Sequence, residues 1–389
     1  MTQRFDAGEL PYGVFALPGS NSAPQIGVGV GDQILRASSV LTDSVFTDGS
    51  LNRFMARGRD FWRATRDRVR AVVERGDGEL IPASDATMLL PFEVTDFVDF
   101  NSSLQHATHA GRILRPGSEP VRPNWRLMPV GYHGRGGTVV VSGTTIARPC
   151  GHYSDDDGVI FAPTKCLDVE AEVGFVVGRE SQLGERVTTS DFFEHVFGVV
   201  LLLDWSARDI QALESVPLGP FLGKSFATSV SAWVMPLDAL DVARVAGPAQ
   251  DPVPAEHLRV EGATGFDIRL DLRVNKTSLS TPRFDTMYWT PAQQLAHLTS
   301  NGARVRTGDL FASGTVSDDT EFGSLLELTW NGSQPLPLAD GSTRCYLEDG
   351  DEVSLDAVAV GRDGSRSRLG EVRGAVTPAR PIAGSRSAR

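Results

Sequence analysis

The sequence has little cysteine, no long apolar run and fewer positive than negative charges. Its three cysteines form no metal-binding motif and cannot all pair with one another, which suits structural thiols in a reducing compartment. No apolar stretch approaches the roughly 20 residues that span a bilayer. The first residues, MTQRFDAGELPYG, also lack the basic head and apolar core of a secretory signal. We therefore expect a cytoplasmic protein with no membrane partner.

The shortage of positive charge bears on the choice of partner. The formal net charge is −12, whereas nucleic acids and anionic membranes both bind positive surfaces. We therefore expect no nucleic-acid partner. The arginine-rich run from Arg53 to Arg70 is a local exception, and its apolar residues recur at roughly helical spacing. This pattern predicts an amphipathic helix with a solvated basic face, in preference to a ligand-binding patch.

The composition is that of a soluble globular protein. The chain has 389 residues, of which 41% are hydrophobic and 22% charged, so it has room for two domains. Between Gly13 and Ser38, short β-like runs are broken by Gly, Pro and Asn, which predicts a small β-barrel or meander. The helical run and a short apolar segment at 88–92 follow. We place a domain boundary near residue 90, giving units 1–90 and 91–389.

Short β-like runs also dominate the second unit. They are GGTVVVSGTTI, LDVEAEVGFVVG, GFDIRLDLRVN, LLELTWNG and DEVSLDAVAVG. The clearest helical signal is TPAQQLAHLTSNG, in which Thr290 is placed to cap the helix, Pro291 fits its first turn and Gly302 lies past its end. The pattern predicts a mainly antiparallel, rolled or sandwiched β domain, so the fold class is mainly β with some helix, α+β. The tail, TPARPIAGSRSAR, is expected to be loose.

Two glutamates in LDVEAEVGFVVG stand two positions apart. On a strand, Glu170 and Glu172 leave the same face. The alternating residues, Val169, Ala171 and Val173, form an apolar face on the other side. Two like charges side by side repel, so either the glutamate face is wet or a cation lies between the carboxylates. This segment alone favours neither interpretation.

Polar residues crowd the end of the most apolar run in the chain. In VVLLLDWSARDIQALESVPLGPFLGKS, which begins at Val199, the apolar run ends on Asp204 and is predicted to be a buried strand. Asp99, in TDFVDFNSSLQHAT, is a further candidate carboxylate. Oxygen ligands without cysteine or paired histidine favour Mg²⁺ or Ca²⁺ over Zn²⁺. Whether these distant acids converge is left open by their spacing.

Five motifs give the chain a specific resemblance. They are YHGR (132–135), DWSARDIQ (204–211), VPLGPFLGKSF (216–226), ASGT (312–315) and FGSLLELTW (322–330). In order and spacing they resemble the fumarylacetoacetase family across nearly the whole chain, including PYGVF and IGVGVGDQIL near the start. The resemblance implies a small SH3-like N-terminal barrel, a C-terminal mixed β-sandwich roll and a homodimer.

The resemblance also implies a divalent cation, Mg²⁺ or Ca²⁺. The residues that match the family's ligands are Asp99, Glu170, Glu172 and Asp204, with Lys224 and Thr228 beside the ion. Four carboxylates around one dication leave a surplus of negative charge. A nearby lysine ammonium offsets part of this surplus, which gives a reason for the lysine.

The reaction implied is metal-dependent hydrolysis of a carbon–carbon bond in a 1,3-diketone. The family's substrate, 4-fumarylacetoacetate, yields fumarate and acetoacetate in tyrosine and phenylalanine catabolism. His106 matches the general base and Glu327 the acid that orients it. Arg208, Gln211 and Lys224 match the donors to the oxyanion. Asp209 is expected to be structural, as are the other histidines, with His133 of YHGR the one candidate to lie close to the site.

The substrate contacts match only in part. Positions that agree with the family are Arg115, Tyr132, Gln211, Gly314 and Thr315. Two further family positions are tyrosines, and they are Asn101 and Ser215 in this chain. Losing one hydrogen bond to a buried group costs about 1–3 kcal/mol. A first alternative is therefore the same chemistry on a different diketone or acylpyruvate.

Two other classes of function can be distinguished from hydrolysis by whether a water-activating base is present. A decarboxylase, isomerase or hydratase acting on a 2-keto acid needs enolate chemistry without a water-activating base. The matched pair of His106 and Glu327 weighs against that reading. A non-catalytic binding protein would have lost a ligand or the base, and the sequence retains all of them.

Overall fold

The structure is a computed structural model that describes residues 4–19 and 23–381. Its strands are Tyr12–Ala16, Gln25–Val30, Gln33–Arg36, Leu80–Pro82, Thr87–Leu89, Asp96–Phe100, Gly131–His133, Val139–Val141, Ile146–Ala147, Cys150–Asp155, Gly158–Pro163, Leu167–Val177, Val196–Ala207, Thr228–Val230, Trp233–Pro236, Arg244–Val245, Gly265–Phe266, Ile268–Val274, Thr277–Ser280, Asp309–Ala312, Leu336–Pro337, Thr343–Arg344, Glu352–Val360 and Arg366–Thr377. Its α-helices are Asn52–Met55, Arg59–Arg75, Leu104–Leu114, Phe192–His195, Arg208–Glu214, Pro291–Thr299 and Leu325–Leu328. Across these residues, no helix combines the length and apolar character needed to cross a membrane.

A 13-stranded sheet forms the centre of the molecule. Its two longest neighbours, Leu167–Val177 and Val196–Ala207, run antiparallel and are buried along their whole length. We call them the glutamate strand and the central strand. Both are rich in β-branched and large apolar residues, which pack well on a pleated surface. Their register places Glu170 directly opposite Asp204.

Three further strands extend this sheet beside the glutamate strand. Asp309–Ala312 pairs antiparallel with the glutamate strand, and Asp96–Phe100 pairs parallel with Asp309–Ala312. Gly131–His133 then pairs with Asp96–Phe100, so that Tyr132 lies opposite Asp99. Sheet topology therefore brings distant parts of the sequence to one edge of the central strand pair.

The two faces of the glutamate strand meet different environments. Val169, Ala171 and Val173 belong to a buried cluster that also contains Leu270 and Leu355. The last two lie on a five-stranded sheet that packs against this face. The opposite face carries the glutamates. The prediction of one apolar face is confirmed.

The N-terminal strands continue the large sheet. Tyr12–Ala16 pairs with Trp233–Pro236, so the hydrogen-bonded ladder crosses the position predicted as a domain boundary. Helix Arg59–Arg75 packs its apolar side against the central strand, because the rings of Trp62 and Phe197 lie edge to face with their centroids 5.3 Å apart. The fold class, mainly β with some helix, is confirmed, while the division at residue 90 stays a prediction.

The arginine-rich segment differs from its prediction. It forms two helices, Asn52–Met55 and Arg59–Arg75, because Gly58 adopts a φ of +82° that interrupts the helical backbone. The basic face is also not entirely solvated. Arg66 is buried and donates hydrogen bonds to the carbonyls of Gly8 and Glu9.

Two strand predictions near the site are wrong. LLELTWNG contains a short helix, Leu325–Leu328, because the Ser324 hydroxyl caps its first turn by accepting from the amide of Glu327. Asp204 does not end its strand, which continues to Ala207. By contrast, helix Pro291–Thr299 is confirmed with its capping threonine. Of the tail expected to be loose, residues 382–389 lie outside the described part of the chain.

Candidate metal and catalytic site

Four carboxylates meet on the polar face of the central strand pair. One oxygen from each of Asp99, Glu170, Glu172 and Asp204 lies within 4.8 Å of the others, and all four side chains are buried. We call this group the acidic cluster. Two of its members come from the glutamate strand, one from the central strand and one from Asp96–Phe100. The convergence that spacing left open is therefore present.

Polar side chains surround the acidic cluster. The Lys224 ammonium lies 2.7 Å from a carboxylate oxygen of Glu170 and 2.7 Å from one of Asp204. The hydroxyl of Thr228 donates to Asp204 at 3.3 Å. The Tyr132 hydroxyl donates to Asp99 at 2.8 Å. These groups lie beside the cluster, as the resemblance implies for the lysine and the threonine.

The carboxylates of the acidic cluster differ in the direction in which their pKa values are shifted. Burial, followed by the charge of Asp204, raises the pKa of Asp99 to about 7. Burial and the neighbouring carboxylates also raise the pKa of Glu172 well above its usual range. Burial alone would raise the pKa of Glu170 too, but the charges of Lys224 and Arg208 outweigh it and hold that pKa well below its ordinary value. If all four carboxylates were ionised, the cluster would therefore carry more negative charge than Lys224 and Arg208 balance.

Two oxygens of the cluster have no hydrogen-bond partner. These buried atoms are Asp99 Oδ1 and Glu172 Oε1. Buried polar atoms without a partner are costly, and each requires an explanation. A hard divalent cation fits them, because it binds carboxylate oxygens and offsets their charge. The acidic cluster is therefore suited to hold a divalent metal ion.

A buried histidine–carboxylate pair lies close to the cluster. His106 Nδ1 is 2.7 Å from Glu327 Oε2, and both side chains are buried. Ser103 caps helix Leu104–Leu114, and its side-chain oxygen accepts a hydrogen bond from the backbone amide of His106. This hydrogen bond fixes the backbone position from which the imidazole extends. Burial acts to lower the pKa of His106, but the Glu327 charge outweighs it and raises that pKa.

The Glu327 carboxylate is fully engaged. Its Oε2 accepts from the hydroxyls of Ser317 and Ser324 at 2.9 Å each, and its Oε1 lies 3.2 Å from His109 Nδ1. Burial would raise the pKa of Glu327, but His106 and these donors lower it to about 2. The carboxylate is therefore held in its charged form beside the imidazole.

Arg208 and Gln211, which follow the end of the central strand, are hydrogen-bonded to each other. Arg208 begins helix Arg208–Glu214, and its Nη1 donates to Gln211 Oε1 at 3.1 Å. Its Nη2 donates to Glu170 at 2.6 Å, which ties the guanidinium to the acidic cluster. Arg208 and Gln211, three residues apart, therefore share one face of this helix. Because the glutamine oxygen accepts from Arg208, its amide N–H groups point away from the arginine.

Two residues of the loop after Asp309–Ala312 contact the site. The amide of Gly314 donates to Glu172 Oε2 at 3.1 Å. Gly314 has a φ of +75°, and a Cβ here would lie 2.0 Å from the carbonyl oxygen of Phe100, so only glycine fits. Thr315 Oγ1 lies 3.4 Å from His106 Nε2. Neighbouring residues of this loop thus contact both the acidic cluster and the imidazole of His106.

The remaining predicted substrate positions are less uniform. Asn101 follows the strand that carries Asp99, and its side-chain oxygen is buried without a partner. The Ser215 hydroxyl instead donates to the backbone carbonyl of Gln211 at the end of its helix. Arg115 donates to the carbonyl of Pro120 at 2.9 Å, and within the described chain no hydrogen bond joins it to the acidic cluster.

Sequence reasoning missed two residues of this site. His109 lies one helical turn after His106, and the spacing of three was a signal that both imidazoles share a face. Asp168 precedes Glu170 by two on the glutamate strand, so the alternation DVEAE also predicts that it shares the polar face. Asp209, expected to be structural, accepts from the backbone amide of Lys165 at 2.8 Å.

Comparison with known proteins gives consistent matches. The family described as "Fumarylacetoacetase N-terminal" matches residues 8–91, and the family described as "Fumarylacetoacetate (FAA) hydrolase C-terminal" matches residues 96–377. Fumarylacetoacetase of Homo sapiens is 44% identical over 406 aligned residues, which cover 96% of each chain. Fumarylacetoacetase of Arabidopsis thaliana is 38% identical over 410, covering 97% of this chain and 96% of its own.

Solved structures share the fold at low identity. A fumarylacetoacetate hydrolase from psychrophilic Exiguobacterium antarcticum is 18% identical with a TM-score of 0.59, covering 95% of this chain and all of its own. Maleylpyruvate hydrolase from Sphingobium sp. SYK-6 is 14% identical with a TM-score of 0.56, also covering 95% of this chain and 100% of its own. At such identity these two matches bear on the fold alone.

Proposed function

This chain belongs to the fumarylacetoacetase family, and we propose that it hydrolyses 4-fumarylacetoacetate to fumarate and acetoacetate. The observation that carries this proposal is the buried His106–Glu327 pair beside the acidic cluster. A base that activates water and a site for a cation are the two requirements of hydrolytic carbon–carbon cleavage. An isomerase or decarboxylase needs only the second.

Bond making and breaking set what the site must do. The oxygen of water adds to the ketone carbon on the fumaryl side, and the bond from that carbon to the neighbouring methylene breaks. The electron pair of that bond leaves as the enolate of acetoacetate, which then takes up a proton at carbon. The protein must therefore accept one proton from water, hold a developing oxyanion and stabilise an enolate.

His106 is the group that accepts the proton. Its Nδ1 faces Glu327, so the imidazole carries its hydrogen there and leaves Nε2 free to take a proton from water. Thr315 lies beside that nitrogen. The charged Glu327 holds the ring in this orientation and stabilises the imidazolium that forms. The histidine then returns its proton to the leaving carbon.

The developing oxyanion is met by three cationic or amide groups. The Gln211 amide N–H groups face away from Arg208 and are free to donate. Lys224 contacts two carboxylates, which leaves one of its three N–H groups available. Arg208 supplies positive charge from the cluster side. Preset donors of this kind favour a charge that appears only in the transition state.

We propose Mg²⁺ or Ca²⁺ in the acidic cluster, beside Lys224 and Thr228. When bound, such an ion acts as a Lewis acid that polarises the diketone oxygens and lowers the energy of the enolate. The choice of these two metals is supported by the all-oxygen donor set. Tyr132 holds Asp99 toward the cluster through its hydroxyl hydrogen bond.

We propose that substrate is bound by residues around this centre, namely Asn101, Arg115, Tyr132, Gln211, Ser215, Gly314 and Thr315. The protein is proposed to work in the cytoplasm as a homodimer. Large apolar side chains exposed on the loop after helix Arg208–Glu214, such as Val216 and Leu218, support an interface. The three free cysteines suit a reducing compartment. Light scattering of the purified protein tests the dimer.

The test of function is a spectrophotometric assay with fumarylacetoacetate and Mg²⁺. We expect the diketone absorbance to fall rapidly, and we expect chelation and His106→Ala each to slow this fall by at least about 10²-fold. A protein that binds Mg²⁺ but leaves fumarylacetoacetate intact would contradict the proposed substrate. Acylpyruvates and other 1,3-diketones, assayed in parallel, then decide whether the same chemistry acts on another member of the class.

A further inference from the structure

Asp168 is hydrogen-bonded to several parts of the site, and none of the roles proposed above includes it. It is fully buried on the glutamate strand, two residues before Glu170. A buried carboxylate is costly unless several donors meet it. Here four donors do so, and they come from three separate elements of the chain.

The first set of donors belongs to the helix that carries Glu327. The backbone amide of Leu325 donates to Asp168 Oδ1 at 2.8 Å, and that of Leu326 donates to Oδ2 at 3.0 Å. The helix is only four residues long, so it lacks enough internal hydrogen bonds to hold its own position. Asp168 therefore anchors the start of the turn from which the Glu327 carboxylate reaches His106.

A third donor to Asp168 is the arginine of the site, and the fourth is the backbone amide of Val169. Arg208 Nε donates to Asp168 Oδ2 at 2.7 Å, while the Nη2 of the same guanidinium donates to Glu170. A guanidinium held by two carboxylates along different N–H directions has little freedom to turn. The same Asp168 oxygen thus accepts both from Arg208 and from the Leu326 amide.

We propose that Asp168 is a positioning residue that couples the two halves of the site. It sets Arg208 and Gln211 on the oxyanion side, and through the Leu325–Leu328 helix it sets Glu327 and His106 on the base side. This inference rests on the proposed function, because it assigns Arg208 and Glu327 the roles given there. Within the described residues, Asp168 makes no hydrogen bond to the four carboxylates of the acidic cluster.

The variant that tests it is Asp168→Asn. Asparagine keeps the shape but turns one acceptor oxygen into a donor, which faces either Arg208 or a backbone amide. We expect kcat to fall about 10²-fold, as a misplacement of about 1 Å does, while KM changes by less than about threefold. The matched control is Asp209→Asn, because Asp209 is the half-buried aspartate that follows Arg208 in the chain and it accepts hydrogen bonds from Thr164 and Lys165 instead.

Two further measurements separate positioning from a loss of stability. In Asp168→Asn with Arg208→Lys, we expect the combined loss of kcat to be smaller than the product of the single losses by about tenfold. Nuclear magnetic resonance of the histidine rings should show the Nδ1–H signal of His106 shifted in Asp168→Asn and unchanged in Asp209→Asn. This signal needs no substrate, so it reports on Asp168 even if the proposed reaction fails.

Several results would overturn the proposal. They are wild-type kcat in Asp168→Asn, independent effects with Arg208→Lys, and a His106 signal that does not move. If Asp168→Asn does not fold, Asp168→Glu keeps the charge and displaces the acceptor oxygens by one methylene, and the same split between kcat and KM is expected. Failure of both variants to fold, with Asp209→Asn folded, would assign Asp168 to stability alone.

Discussion

The acidic cluster and the His106–Glu327 pair are neighbours, yet their interactions are satisfied to different degrees. Glu327 accepts from two imidazoles and two hydroxyls and keeps its charge without further help. The cluster retains two buried oxygens with no partner. The interactions of the pair are therefore satisfied by the protein alone, whereas the cluster is suited to be completed by a divalent ion. Metal removal should affect one half and leave the other in place.

The largest expected effect comes from removing the ion. Chelated protein should lose more than about 10⁴-fold in activity, because the Lewis acid supplies several kcal/mol of transition-state stabilisation. Mg²⁺ at 100 times its Kd should stabilise the fold by about 2.7 kcal/mol, seen as a higher Tm. The histidine ring signals should move little when the ion is removed.

Glu172→Gln sharpens the same comparison. The variant removes one of four crowded carboxylates, so its metal-free form should melt above metal-free wild type. It should also lose most of the Tm gain from added Mg²⁺. Equal responses of Tm to Mg²⁺ in the two proteins would show that the ion binds elsewhere.

His106→Ala breaks the other half. We expect kcat to fall 10²- to 10⁴-fold, the usual contribution of a general base, with Mg²⁺ affinity unchanged in a calorimetric titration. His109→Ala is the matched control, because it also removes an imidazole from Glu327 but leaves Nε2 of His106 in place. Comparable losses in both variants would contradict the assignment of the base to His106.

Glu327→Gln tests the pair through pH. His106 acts in its neutral form, so kcat/KM should fall as pH drops through the pKa of His106, which Glu327 raises. Without that charge, burial dominates and lowers this pKa. The acidic limb should therefore move to lower pH, while the plateau falls about 10²-fold. A limb that stays or moves to higher pH would exclude His106 as the titrating group.

The smallest effect concerns the two replaced tyrosine positions. The side-chain oxygen of Asn101 is buried and unpartnered, whereas the Ser215 hydroxyl is already hydrogen-bonded to its own helix. Asn101→Ala should raise KM about tenfold, the equivalent of one hydrogen bond. Ser215→Ala should change KM by less than about threefold. The opposite order would show that the serine contacts the substrate.

Local patterns predicted much of the site because its key strand is regular. Alternation in DVEAEV was enough to place Glu170 and Glu172 on one face, since side chains of a strand have a period of two. The helix that begins at Pro291 is likewise predicted from the sequence, because Thr290 is a typical helix-capping residue. The helix that carries Glu327 is not predicted in this way, because its apolar LLEL resembles a strand and its first turn is held by Ser324 and by the distant Asp168.

By itself, the sequence determined the β-rich fold class, the apolar and acidic faces of the glutamate strand, and membership of a family through long motifs. Tertiary structure alone decided that Asp99 and Asp204 lie within 4.8 Å of those glutamates, because register and parallel pairing join strands far apart in the chain. It also decided that Asp168 joins Arg208 to the Glu327 turn. Those contacts join residues that are far apart in the chain, so no local periodicity in the sequence predicts them.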